Sequence, residues 1–342
     1  MEKKKTAVLI GAGTALGFSA AAAAASFMLY RQTLPRPKGT GREIIEAFTD
    51  SGKAEEYAVK MKTASDRLAS RKMEDLFIPS NDGLRLHALY LPADRPAKKT
   101  VLFHHGFTGR AIDNGTHALF FHALGYDVIL LDLRAHGLSE GRYVGFGILD
   151  RYDTLAWVRY VKERFGEDRR IVLHGTSMGG ATVLMALGLE EIQKSVSAVI
   201  ADCAYTSPAA IFSHVMKKNF HVPFTSPVIK LNGLYSKAKA GYAFSDCSTT
   251  EALRGNKVPV LLIHGAADTF VPVRMSRENY DACTAKKELL IVEGAGHGAS
   301  LFENRQLYEA AEKKFLDEVF GENCSADETK GVKGDIEADI PA

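Results

Sequence analysis

Three residues whose types suit covalent catalysis each follow a short apolar run: Ser177, Asp268 and His297. Ser177 is the centre of the segment Gly175–Gly179, which fits the pattern G-x-S-x-G. The apolar run Ile171–Leu173 precedes this segment and a helical pattern follows it. In that strand–turn–helix context, a sharp turn exposes the serine hydroxyl. We therefore predict that Ser177 is a catalytic nucleophile rather than a residue of an ordinary tight turn.

Asp268 and His297 supply the other two groups that a serine nucleophile requires. Asp268 follows the apolar run Val260–Ile263, and His297 lies in a glycine-rich segment after the last apolar run. A histidine can accept the serine proton, while a carboxylate orients that histidine and stabilises its charged form. We predict His297 as the base and Asp268 as the acid, with the next helix beginning at Val271.

Two backbone N–H groups are candidates for the oxyanion hole, the donors that stabilise the negative oxygen of a tetrahedral intermediate. The N–H of Met178 follows the nucleophile directly, at the start of a predicted helix. The N–H of Phe107 lies in a loop that follows another apolar run. We expect His105 to shape this loop and His104 to pack at the end of the strand.

Other polar residues compete for these roles. Asp202 ends an apolar run and is the alternative to Asp268 as the triad acid. We expect four residues of a glycine-rich turn to hold a loop rather than form a second site: Asp132, Arg134, His136 and Ser139. The sequence shows no spacing typical of metal ligands and no phosphate-binding glycine loop, so we predict neither a metal nor a cofactor.

The amino-acid composition limits the classes of protein to which the chain can belong. Charged residues make up 25% of the 342-residue chain and hydrophobic residues 46%, which is typical of a globular protein with a full core. The net charge of +2 gives no basic surface for nucleic acid, so we expect no nucleic-acid partner. The four cysteines lack both CxxC and metal spacing and are too few for a disulfide framework, although one disulfide remains open.

The elements that must position these residues alternate between apolar runs and helical stretches. Residues 84–91 alternate apolar and other side chains after the turn signal at 81–83, which predicts an antiparallel hairpin. Later runs are nearly continuous in Val, Ile and Leu, as in parallel strands covered by helices: Val101–Phe103, Val128–Leu131, Ile171–Leu173, Val196–Ile200, Val260–Ile263 and Leu289–Val292. This predicts an α/β fold with a mostly parallel central sheet and helices on both faces.

The chain divides into three predicted parts. Residues 41–320 form the catalytic domain, beginning with a helical pattern over 42–71. Residues 204–257, rich in proline and aromatic side chains, interrupt the alternation and are predicted to form a small helical lid. Residues 321–342 are polar and acidic and are expected to be disordered.

Residues 1–40 indicate a membrane segment and a linker. Thr6 to Tyr30 is free of charge and flanked by basic residues, and about 20 apolar residues suffice to cross a bilayer. We predict a single-pass anchor with the domain on the extracytoplasmic side. The alternative is a cleaved signal peptide and a secreted domain, because small residues at Ala20–Ala25 offer a cleavage site.

Five segments together resemble α/β-hydrolases of the serine aminopeptidase-like group and bacterial carboxylesterase-like proteins with an N-terminal anchor: 105–107, 132–139, 175–179, 264–268 and 296–297. The resemblance covers residues 75–320. It implies an α/β-hydrolase fold, a Ser177–His297–Asp268 triad and an oxyanion hole from Phe107 and Met178. It does not imply one substrate, because the fold supports many reactions.

The leading hypothesis is therefore a carboxylesterase-like serine hydrolase that acts on a small-molecule or lipid-like ester through an acyl-enzyme. Two other readings stay open. One is a thioesterase, protein deacylase or peptidase with the same triad, although the predicted lid offers no acidic pocket for a free amino terminus. The other is a catalytically inactive, membrane-tethered binding protein. No pattern indicates an oligomeric state.

Overall fold

The computed structural model describes residues 22–38, 51–219 and 221–322. Within them, eight strands form one sheet: β1 (Glu74–Pro79), β2 (Arg85–Leu91), β3 (Lys99–His104), β4 (Asp127–Asp132), β5 (Arg170–Thr176), β6 (Ala198–Asp202), β7 (Val260–Gly265) and β8 (Lys287–Val292). The strand order is β1-β2-β4-β3-β5-β6-β7-β8. Strand β2 pairs antiparallel with β1 and β4, and all other neighbours are parallel. The predicted α/β class with a mostly parallel sheet is confirmed.

Helices cover both faces of this sheet. They are α1 (Ser51–Ala69), α2 (Gly115–Ala123), α3 (Asp150–Phe165), α4 (Met178–Ala186), α5 (Glu190–Ser195), α6 (Pro208–Asn219), α7 (Ser226–Ala240), α8 (Thr249–Leu253), α9 (Arg274–Ala282), α10 (Ser300–Glu303) and α11 (Arg305–Phe320). A 3-10 turn over Ala111–Asn114 precedes α2. The helix after Asp268 begins at Arg274 rather than at Val271, because residues 271–273 form a turn.

The central strands are apolar because both of their faces are buried. Every residue of β4 is buried, and its side chains alternate between two apolar layers. Ile129 and Leu131 belong to the layer on one face, while Val128 and Leu130 belong to the layer on the other. A period of two places successive side chains on opposite faces. Strands that are apolar in their central residues therefore fix the sheet in the middle of the domain.

The predicted hairpin at the start of the sheet is confirmed. β1 and β2 pair antiparallel, with Pro79 opposite Arg85. Gly83 in the connecting turn has a φ of 84°, a left-handed conformation that glycine adopts without the steric cost of a Cβ. This hairpin leads the chain into the parallel part of the sheet.

The described N-terminal residues pack on the predicted lid segment. A helix over residues 22–33 contacts α7, where Asn232 donates a hydrogen bond to the carbonyl of Ser26 at 2.9 Å. The rings of Tyr30 and Tyr235 lie 5.8 Å apart. No helix within the described ranges is long and apolar enough to cross a bilayer. Residues 1–21 lie outside them, so the anchor stays a prediction.

The structure describes the predicted lid segment in part and only the first two residues of the predicted tail. Segment 204–257 contains α6, α7 and α8, and α11 ends at Phe320 with Gly321 as its cap. Residues 323–342 of the predicted tail lie outside the described residues, as does Cys324. The three described cysteines are buried free thiols: Cys203, Cys247 and Cys283.

Candidate active site

Ser177 lies on a strained turn between β5 and α4. Its φ is 55° and its ψ is −112°, which is uncommon for a residue with a side chain and costs backbone energy. The turn is possible because glycines flank it. A Cβ on Gly175 would come within 2.3 Å of the carbonyl carbon of Gly179, and one on Gly179 within 1.9 Å of the carbonyl oxygen of His104. The turn places Ser177 at the carboxyl edge of the sheet.

The structure brings the three predicted catalytic residues together. Nε2 of His297 lies 2.9 Å from Oγ of Ser177, and Nδ1 of His297 lies 2.7 Å from Oδ2 of Asp268. Both distances are those of hydrogen bonds. A His297 ring whose Nδ1–H donates to Asp268 has Nε2 free to accept the serine proton. The serine hydroxyl can thus donate to the imidazole, and the imidazole to the carboxylate, in one hydrogen-bonded series.

Asp268 is held as a carboxylate. Its Oδ1 accepts hydrogen bonds from the backbone N–H groups of Phe270 and Val271, each at 2.9 Å. Burial alone would raise the pKa of Asp268, but the neighbouring His297 and His264 outweigh burial and hold that pKa well below its usual range. A charged Asp268 is what stabilises an imidazolium at His297.

The two residues predicted to supply oxyanion donors, Met178 and Phe107, belong to segments that adjoin Ser177. The N–H of Met178 is at the first position of α4, where an N–H has no intrahelical acceptor. Phe107 follows β3 in a loop that lies against Ser177. A Cβ added to Gly106, the residue before Phe107, would be 3.6 Å from Cβ of Ser177. The role of these two N–H groups as oxyanion donors stays a prediction.

A family model described as alpha/beta hydrolase fold matches residues 99–227. That range includes β3 to β6, the Phe107 loop and the Ser177 turn. The chain has the α/β-hydrolase fold.

Curated and solved proteins share this fold. The chain is similar to the uncharacterized protein YqkD of Bacillus subtilis, with 27% identity over 82% of this chain and 88% of that protein. It is similar in structure to the esterase Pf2001 of Pyrococcus furiosus, with a TM-score of 0.60 and 24% identity over 74% of this chain and 93% of the other. Est1E of Butyrivibrio proteoclasticus, solved with ferulic acid bound, has a TM-score of 0.57 and 21% identity, over 72% of this chain and 99% of Est1E.

Two further histidines brace the Phe107 loop of this α/β-hydrolase fold. Nε2 of His105 accepts a hydrogen bond from the N–H of Leu133 at 3.0 Å. Nε2 of His136 accepts one from the N–H of Thr108 at 3.2 Å. Both rings are buried, and burial lowers the pKa of each, so they act as neutral acceptors. His105 thus has the loop-shaping position that the sequence indicated.

The other polar residues that the sequence singled out have structural partners. Asp202 is buried, with oxygens 3.4 Å from the hydroxyl of Ser300 and 3.3 Å from that of Tyr308, and burial raises its pKa to about 7. Asp132 accepts from the N–H groups of Ala111 and Leu138. Hydrogen bonds also occupy the side chains of the remaining four: His104, Arg134, His136 and Ser139.

A cavity of about 470 Å³ opens above Ser177 and His297. Helix α1 forms one wall of it with side chains spaced three or four residues apart: Ala58, Met61, Lys62, Ser65, Asp66 and Ala69. Among its other lining residues are four apolar side chains from four segments: Phe107, Ile112, Phe270 and Phe302. The cavity is mostly apolar and ends at Ser177.

The wall from α1 was not predicted from the sequence. None of the residues that line the cavity comes from the segment 204–257, which was predicted to form a lid. That segment supports the cavity indirectly, because the Phe107 ring stacks on Phe146 at 5.6 Å and Phe146 contacts Phe212 of α6 at 5.1 Å. The amphipathic spacing over 42–71 predicted a helix. It did not show that one side of this helix would line the cavity.

Helix α1 is fixed at two points. A Cβ on Gly115, the first residue of α2, would lie 2.6 Å from the backbone of Ala64, so only glycine lets the two helices come this close. At the amino end of α1, Lys53 forms an ion pair with Glu303 at 2.6 Å, and the hydroxyl of Tyr57 donates to the same carboxylate. Glu303 ends α10, six residues after His297.

Proposed function

We propose that this chain is a serine hydrolase that cleaves carboxylic esters through an acyl-enzyme. The observation that carries the proposal is the hydrogen-bonded series Ser177, His297 and Asp268 at the end of an apolar cavity. The similarity to esterases of known structure agrees with this function, although that likeness by itself concerns only the fold.

The chemistry follows from the positions of the donors and acceptors. Oγ of Ser177 attacks the ester carbonyl while Nε2 of His297 takes its proton. The N–H groups of Met178 and Phe107 stabilise the oxyanion, and each such donor typically contributes about 3 kcal/mol. His297 then gives the proton to the departing alcohol. Water repeats the sequence on the acyl-enzyme, releasing the carboxylic acid and restoring Ser177.

The charge distribution around the cavity favours a neutral, apolar acyl or aryl group. The charged side chains of the lining form pairs with each other, Lys62 with Asp66 on α1 and Arg110 with Asp113 beside α2. An unpaired carboxylate that could bind a free amino terminus is therefore missing among the described lining residues. We infer that a neutral ester fits this cavity better than the charged end of a peptide.

The test is hydrolysis of p-nitrophenyl esters from acetyl to palmitoyl by the full chain, with an acyl thioester series measured alongside. Activity of the wild type that disappears in Ser177→Ala, with an unchanged circular dichroism spectrum, is the expected result. Ser139→Ala is the matched control, because the Ser139 hydroxyl is committed to the carbonyl of Asp132. Undiminished ester hydrolysis in Ser177→Ala would overturn the proposal, and a strong preference for thioesters would replace its substrate class.

A further inference from the structure

A second group of ionisable side chains lies behind β5, on the face covered by α2 and α11. His174 belongs to β5, His117 to α2 and Glu312 to α11. Each residue offers one nitrogen or oxygen atom, and these three atoms all lie within 4.8 Å of one another. The three are far apart in sequence, which is why motif spacing gave no sign of a metal site.

His174 and Glu312 of this group are buried, His117 is half-buried, and the hydrogen bonding of the group is incomplete. His174 and Glu312 are both 0% exposed, and Nε2 of His174 lies 2.7 Å from Oε1 of Glu312. Three atoms have no hydrogen-bond partner within the described residues: Nδ1 of His117, Nδ1 of His174 and Oε2 of Glu312. Nδ1 of His174 lies on the side of the ring that faces away from Glu312, so it is not part of this group. Nδ1 of His117 and Oε2 of Glu312 are buried atoms whose lack of a partner is costly, and this points to a ligand within the cluster.

Two described neighbours of the group, Phe103 and Tyr308, do not supply the missing partner. The ring of Phe103 lies 4.7 Å from that of His174 and packs over it. The nearby hydroxyl of Tyr308 is engaged with Asp202 at 3.3 Å. His117 also lines the cavity above Ser177, so an ion has a route to the cluster from solvent.

We propose that His117, His174 and Glu312 bind a divalent transition-metal ion, with zinc as the ion that best fits the donors. Two imidazole nitrogens and a carboxylate are a typical ligand set for zinc, with bonds of about 2.0–2.2 Å. The ring centroids of the two histidines are 4.7 Å apart. That separation is close to the value of about 5 Å expected when two imidazoles bind one tetrahedral ion. With one atom from each of the three residues, a water molecule would complete the tetrahedral arrangement.

The role of this ion is structural. It joins one strand and two helices from three distant parts of the chain, and its ligand His174 lies three residues before Ser177. Binding of a metal ion to the folded state alone stabilises that state. The ion would therefore hold the base of the Ser177 turn between α2 and α11 without contacting the reacting atoms.

The test measures metal content rather than activity, so its outcome is independent of the proposed ester hydrolysis. The untagged full chain is loaded with zinc, desalted and analysed by elemental mass spectrometry. Wild type should retain about one zinc per chain, whereas His117→Asn and Glu312→Gln should retain almost none. His122→Gln on the same helix is the matched control and should retain zinc, because its imidazole bonds to the carbonyl of Pro92.

A second measurement uses wild type alone and does not depend on the folding of variants. Removing the metal with dipicolinate should lower the Tm of wild type, and adding zinc should restore it. Cobalt loading should give the visible absorption bands of a tetrahedral site, and these bands should be absent from Glu312→Gln. The proposal would be overturned if wild type held far less than one zinc per chain. It would also be overturned if the Tm changed with neither the chelator nor added zinc.

Discussion

Nε2 of His264 lies 3.3 Å from Oδ2 of Asp268, the same oxygen that His297 approaches. His264 is fully buried, and its ring is fixed at both nitrogens. Nδ1 lies 2.6 Å from the hydroxyl of Ser276, and Nε2 lies 2.8 Å from the carbonyl of Val271. We infer that His264 is a positioning residue, which sets the orientation of Asp268 and through it that of His297.

Replacement of His264 should therefore lower turnover without changing substrate binding. We expect His264→Leu to reduce kcat about 100-fold, since a misplacement of about 1 Å at a catalytic group has that effect. His264→Gln, which keeps a donor near the position of Nε2, should recover much of the loss. The measurement is the separation of kcat from KM for a p-nitrophenyl ester. An increase in KM with kcat unchanged would show that His264 does not act through Asp268.

The identity of the acid can be tested with two asparagine variants. Asp268→Asn should lower kcat by about 10⁴-fold, because an amide favours the wrong tautomer of the histidine. Asp202→Asn should remain within about threefold of wild type, since the carboxylate of Asp202 faces Ser300 and Tyr308. Comparison of the two at saturating substrate decides the assignment. The opposite ranking would identify Asp202 as the acid.

Asp132 should make stability depend on acid pH. Burial alone would raise its pKa, but hydrogen bonds from His87, Ala111 and Leu138 outweigh burial and lower it to about 2. The unfolded value is about 3.9, so the stabilisation is complete above pH 4 and is lost as pH falls towards 2. Asp132→Asn should therefore cost about 2 kcal/mol at pH 7, and its difference from wild type should shrink below pH 4.

Urea unfolding of wild type and Asp132→Asn at pH 7 and at pH 3 measures the loss of stability at each pH. Asp75→Asn is the matched control, because Asp75 also contacts His87, at 2.9 Å, but its side chain is 61% exposed. An exposed pair contributes little, so this control should resemble wild type. A cost for Asp132→Asn that is the same at pH 7 and pH 3 would contradict the assigned pKa.

The wall formed by α1 predicts a change in chain-length preference. Met61→Trp fills part of the cavity and should reduce kcat/KM for long acyl chains at least about tenfold, or about 1.4 kcal/mol, while the acetyl ester is unaffected. Val59→Trp on the exposed side of the same helix is the control, since Val59 is 59% exposed. An equal loss on every chain length in Met61→Trp would mean that α1 does not contact the acyl group.

The sheet and the positions of Ser177, Asp268 and His297 could be predicted because their signals are local. Each residue follows an apolar strand within a few positions, and parallel strands bring their carboxyl ends to one edge. The wall from α1, the contact of His264 with Asp268 and the His117–His174–Glu312 cluster depend on residues that meet only after folding. His174 and Glu312 are 138 positions apart, and nothing in either neighbourhood identifies the other.

Helix α1 precedes in sequence all the other residues that line the cavity, and this order has an evolutionary consequence. Ser177, His297 and the proposed oxyanion donors lie at the carboxyl edge of the sheet, whereas one wall of the cavity is a helix encoded before the first strand. Substitution of only those side chains of α1 that line the cavity would give descendants a cavity of another depth. Such descendants would keep Ser177, His297 and Asp268 unaltered. Their changes within residues 51–69 should spare the buried side chains of Ala54, Tyr57, Ala64 and Leu68, which hold the helix in place.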